Sequence, residues 1–174
     1  LALSVGATLA FASTAAAEIP PSHKVKVLLT ALSFDKSLKT RASGKIVIGV
    51  LGNCATTTAL QEASGKAING LPIAVESLGE WKSGSDLEQV LKKNAVTVLF
   101  VCSVPGDSWG ALTKAANKEK AVTLAEDASW VEDKLALGVG EKNGRAELVI
   151  NLEAARAAGA EFDARIFGVA RVVQ

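Results

Sequence analysis

The chain has 174 residues, 49% hydrophobic and 21% charged, with a formal net charge of +1. That length suits one domain of about 100–200 residues with a substantial core, and the apolar fraction excludes a disordered chain. The single histidine excludes histidine-rich metal chemistry. The near-neutral balance, with no basic cluster, argues against nucleic-acid binding through phosphate-neutralising Lys and Arg.

Residues 1–17 read LALSVGATLAFASTAAA and carry no charge. An apolar stretch from Leu1 to Phe11 runs into Ala15-Ala16-Ala17 before Glu18, the h-region and small-residue cleavage pattern of a secretory signal peptide. The run is shorter than the roughly 20 apolar residues of a membrane span. Cleavage after Ala17 and export are therefore expected, with residues 18–174 as one mature domain.

Val25, Leu28, Leu29 and Leu32 make one face of a first helix. Ile46 to Leu51 is a continuous run rich in β-branched residues, and residues 96–102 form another; such runs suit strands buried on both faces of a parallel sheet. Weaker strands are read at 72–78 and 121–125. Helices are expected between them. One covers 56–67, a second carries Leu87, Val90 and Leu91 behind the capping box Ser85-x-x-Glu88, and a third covers 108–119. Residues 135–142 and 145–150 flank Asn143-Gly144, a hairpin signal because both turn residues tolerate positive φ. Two C-terminal helices are expected at about 152–158 and 162–173, the second with an apolar stripe of Phe162, Ile166, Val169, Ala170 and Val173. The fold class is α/β: a single three-layer domain with a mostly parallel sheet of strand order 2-1-3-4. An antiparallel hairpin extends the sheet, with one N-terminal and two C-terminal helices.

Cys54 and Cys102 are the only cysteines, and each closes an expected parallel strand. Neighbouring first and third strands would place both at the switch point, where an exported protein forms a disulfide; two separate buried thiols are the alternative. Cysteine catalysis is not expected, because the lone His23 lies far from Cys54 in sequence and Leu60 stands where a phosphate loop of the C-x5-R type needs arginine. The stretch after Gly52 lacks the Walker pattern, and Gly138-Val139-Gly140 falls in a hairpin, so neither is a nucleotide fingerprint. No catalytic residue, metal site or cofactor is expected. Asn53, Thr56, Thr57 and Ser103 would face the crevice above the sheet, where open α/β sheets bind ligands, or else Asn53 and the threonines cap the next helix. Asp127 and Ser129 either line the same crevice or start a short helix beside Trp130. Trp81 and Trp109 are expected to be partly buried.

Taken together, the N-terminal helix ending in Ser33-Phe34-Asp35-Lys36, the run Ile46 to Gly52, Val96 to Cys102, Ala121 to Asp127, the hairpin with Leu148 to Asn151, and Ala160 to Ala170 resemble the YfiR family over residues 24–173. The resemblance implies a small periplasmic α/β protein without enzymatic activity. Its implied partner is an inner-membrane signalling protein, a cyclase or a sensor kinase. In the best-understood role the protein binds the periplasmic region of a diguanylate cyclase and represses it, holding down cyclic-di-GMP and biofilm formation. A small-molecule ligand and a homodimer are further candidates. The family's aromatic Trp-Pro segment is replaced here by Phe34-Asp35-Lys36, and its cysteine pairs do not match, which marks a divergent branch.

Overall fold

The computed structural model describes residues 18–82 and 86–173. The expected signal segment and Ser85 lie outside the described residues. Helix α1 (Pro21–Leu32) has Pro at its first turn, where the missing N–H costs nothing, and buries Val25, Leu28, Ala31 and Leu32. Leu29 is only partly buried. The short α2 (Leu38–Ala42) leads to β1 (Ile46–Leu51), which is buried along its whole length.

Helix α3 (Thr56–Gln61) is half as long as the expected 56–67 helix, because the chain turns back into β2 (Ala67–Ile68) and β3 (Leu71–Gly79). The reason is Asn69-Gly70: both residues adopt positive φ, 52° and 80°, and make a tight hairpin. Helix α4 (Leu87–Lys93) is capped by the Asp86 side chain, which accepts from the Gln89 N–H at 3.1 Å. Asp86, and not Ser85, therefore holds the N-cap position.

The chain continues through β4 (Val98–Val101), α5 (Trp109–Lys118), β5 (Val122–Ala125) and α6 (Ser129–Asp133). Strands β6 (Leu137–Lys142) and β7 (Arg145–Asn151) form the hairpin turning at Asn143-Gly144. Helix α7 (Leu152–Ala157) starts at Asn151, whose side chain accepts from the Ala154 N–H at 2.9 Å.

The second expected C-terminal helix is replaced by a short 3-10 turn, Ala164–Gly168, and the strand β8 (Ala170–Val173). Asp163 caps the turn, and the β-branched run that follows alternates faces: Ala170 packs on one core and Val173 on the other. The apolar spacing that reads as a helical stripe is equally met by a turn followed by a strand.

The eight strands form one sheet of order β2-β3-β1-β4-β5-β6-β7-β8. Pairings from β3 to β6 are parallel, β6 and β7 are antiparallel, and β8 runs parallel to β7. The four strands named from the sequence thus stand in the expected order 2-1-3-4. One core lies between the sheet and α1, α2, α3 and α7, and the other between the sheet and α4, α5 and α6. Gly138 belongs to this packing: a Cβ there would lie 2.7 Å from Val131 Cγ2, so α6 seats closely only on glycine.

Candidate functional site

The strand order reverses at β1, which has β3 on one side and β4 on the other. The crevice beyond the carboxyl ends of β1 and β4 is the place where open parallel sheets take ligands. The chain leaves β1 through Gly52 at φ +85°, and a Cβ there would meet Ser103 Oγ at 2.7 Å. Only glycine lets the two loops come so close. Their approach brings Cys54 and Cys102 to a Cα separation of 5.4 Å, and the two are joined in a disulfide. Of the two sequence readings, the bonded pair is correct.

Thr57 braces the bridge. Its hydroxyl accepts from the Cys54 N–H at 3.1 Å and lies 3.7 Å and 3.6 Å from the sulfurs of Cys54 and Cys102. Asn53 and Ser103 are exposed at the crevice mouth. Thr56 instead faces inward: it is fully buried, and its hydroxyl has no hydrogen-bond partner among the described residues. The capping alternative is not what α3 does, because its N-cap is Ala55 and no side chain caps it. Asp127 accepts from the Ser129 N–H at 2.9 Å, so the two residues build the turn into α6 while remaining exposed at the rim.

Two crevice residues have no sequence signal as a pair. Lys24, in the first turn of α1, donates to the Glu126 carboxylate at 3.0 Å and to the Glu126 carbonyl oxygen at 3.2 Å. Glu126 Oε2 stands 3.5 Å from Cys54 Sγ. Helix α1 is thereby fastened over the carboxyl edge of the sheet, next to the disulfide. The pair joins positions 102 residues apart, and nothing in either local sequence announces the other.

The bonded sulfurs cannot act as nucleophiles, and His23 sits on α1 where it lines a different groove. Among the described residues no cluster of three or more His, Cys, Asp or Glu is placed to hold a metal. Trp109 and Trp130 meet edge to face at 5.3 Å, with the Lys134 ammonium 5.2 Å from the Trp109 ring centre, and Trp81 packs against the same core. Trp81 and Trp109 are partly buried, as expected, and Trp130 packs with them against the core.

A second region stands out by its exposed apolar surface. Among the described residues the exposed large apolar ones are Phe167 (40% exposed) on the 3-10 turn, Val169 (69%) just after it and Val172 (37%) on β8. Strand β8 is an open sheet edge. Beside it a groove of about 600 Å³ runs between α1 and β7, walled by Val27, Phe34, Leu148, Ile166 and Val169. This region carries no sequence signal of its own, because the spacing over 162–173 reads as a helix with Val169 on its apolar stripe.

Comparison with known proteins is informative at the family level. Residues 23–171 match the YfiR/HmsC-like family. No curated protein matches the chain. The fold is shared with solved structures of low sequence identity, these two among them. One is the ligand-free, open form of a substrate-binding protein with adhesive properties from Clostridium difficile, at TM-score 0.52 and 18% identity, covering 80% of this chain and 58% of the other. The other is a conserved domain protein from Vibrio cholerae, at TM-score 0.55 and 18% identity, covering 89% of this chain and 60% of the other. The chain thus spans about three fifths of the length of each of these proteins.

Proposed function

The chain belongs to the YfiR/HmsC-like family, and from that premise we propose that it is an exported, non-enzymatic regulator. In this reading it binds the periplasmic region of an inner-membrane signalling protein, such as a diguanylate cyclase, and represses it. The observation that carries the reading is the family match over residues 23–171. Two features support it. A disulfide suits an oxidising compartment, and among the described residues no helix is long and apolar enough to cross a membrane. The exposed patch of Phe167, Val169 and Val172 on an open sheet edge is the kind of surface that meets a protein partner.

A second reading is favoured by the groove between α1 and β7: a small-molecule-binding sensor module. Its volume of about 600 Å³ falls within the roughly 300–1,000 Å³ of small-ligand sites. The solved substrate-binding protein shares the fold alone, so its binding property is a guide to experiment only.

The test of the regulatory reading is genetic. Loss of the protein from its native host should raise cellular cyclic-di-GMP, and re-expression of the wild type should restore the basal level. Unchanged cyclic-di-GMP would exclude the cyclase as the partner. N-terminal sequencing of protein recovered from the periplasm tests export, with Glu18 as the expected first residue and an intact Leu1 as the contrary result.

A further inference from the structure

The groove between α1 and β7 has a chemistry that selects among ligands. Its floor and far wall are apolar, made by Ala146, Leu148, Ile166 and Val169. Its near wall is the face of α1 that carries His23, Lys26, Val27 and Thr30, followed by Phe34. Among the described residues no carboxylate lines it. Lys26 is exposed, makes no ion pair among the described residues and stands between this groove and the one on the other flank of α1, whose lining it shares with Glu62 and Lys66. A further cation flanks the groove, with the Arg165 guanidinium 5.7 Å from the centre of the Phe34 ring. Arg165 is already paired with Asp163 at 2.8 Å, which leaves Lys26 as the unengaged cation on the wall.

An apolar trough with an unpaired ammonium on one wall, and no acid to repel an anion, fits an amphipathic monoanion. We propose that this groove binds a free medium-chain fatty acid, its tail lying over Ala146 and Leu148 and its carboxylate meeting Lys26. The hydrophobic floor supplies the attraction and the charge selects the head group. The proposal rests on the sensor reading of the groove and does not require the membrane partner. Val169 both lines the groove and belongs to the exposed patch, so an occupied groove would alter the surface offered to a partner.

The experiment uses the mature protein and three probes of equal tail length: decanoate, decanol and decyltrimethylammonium, each titrated calorimetrically below its micellar concentration. Decanoate should bind saturably with one site per chain, at least tenfold tighter than decanol, and the cation should not bind. Lys26→Glu should weaken decanoate at least tenfold and admit the cation. Ala146→Phe, which fills the trough, should abolish binding of both. Thermal melting of each variant without ligand confirms that it folds. Absence of saturable decanoate binding to the wild type would overturn the proposal. So would equal affinity for decanoate and decanol, or a Lys26→Glu variant that is folded and binds decanoate undiminished. A negative titration alongside normal control of cyclic-di-GMP would remove the fatty-acid site and leave the regulatory reading standing.

Discussion

Asp35 is a buried carboxylate with four donors around it. Its side chain accepts from the N–H groups of Ser37 and Glu161 at 3.0 Å each and from the Ser37 hydroxyl at 2.8 Å, and it pairs with Arg41. Arg41 in turn donates to the carbonyl oxygens of Thr97 and Lys120 at 3.2 and 2.9 Å. The cluster ties the end of α1 to the start of β4 and to the segment before the 3-10 turn. Replacing Arg41 by Leu leaves a buried charge without its counter-ion, so a loss of about 3–5 kcal/mol is expected. Urea unfolding of the variant measures it, and a loss below about 1 kcal/mol, the range of a surface pair, would refute the role.

Asp163 is held by a neighbour two residues on. Its hydrogen bonds to Arg165 hold its carboxyl at about 2, down from 3.8. A depressed folded-state value means that the contribution is complete above 3.8 and is lost as pH falls through about 2. Asp163→Asn should therefore be less stable than wild type at neutral pH, with the gap closing over that acidic window. A gap independent of pH would contradict the assignment. In the sequence Asp35 stands at the tail of a helix, and Asp163 falls inside the expected helix 162–173 off its apolar stripe. Asp35 was illegible because Glu161, 126 residues away, reaches it only in the folded chain, and Asp163 because its local partner Arg165 is read differently once 162–173 is taken as a helix.

Among the elements, the central strands were legible and the periphery was not. Strands β1, β4 and β5 are buried on both faces; the apolar runs that carry β1 and β4 have few other fates, and β5 was legible more weakly, its run broken by Thr123. Strand β8 failed because an apolar spacing of three to four residues is ambiguous once the segment is short and rich in valine. Strand β2 failed because helix-compatible Ala and Lys residues around 63–67 outweighed the Asn69-Gly70 turn that ends the segment. Close approach decides the loop after β1. Gly52→Ala places a side chain at φ +85° and against Ser103 Oγ, and should cost about 1–2 kcal/mol for the left-handed backbone alone. Adding Ser103→Ala should recover only the steric part, since the backbone conformation remains. Full recovery in the double variant, read from thermal melts, would show that φ carries no cost.

At the scale of the whole molecule, the disulfide joins two loops whose cysteines are 48 residues apart in sequence but follow the neighbouring strands β1 and β4. Closing a loop of that length restricts the unfolded chain by about 4 kcal/mol on the chain-entropy argument. Replacing both cysteines with serine should cost about 2–5 kcal/mol, and non-reduced peptide mapping should show one cross-linked pair containing Cys54 and Cys102. Two freely alkylatable thiols in the exported protein would contradict the bridge. The position of this crevice could be read from the sequence, because two cysteines at the ends of two buried runs place it once the strand order is right. Its roof could not, because Lys24 reaches Glu126 only after α1 has packed across the sheet.

The claim that this chain regulates a membrane signalling protein is tested most directly by capture of its partner. The mature protein, immobilised in its oxidised form, is cross-linked to solubilised inner membranes of its native host, and the retained proteins are identified by mass spectrometry. Retention of a diguanylate cyclase or sensor kinase is expected, with loss of that protein when Val169→Asp, at unchanged melting temperature, replaces the wild type. Recovery of no inner-membrane signalling protein by the wild type would contradict the claim.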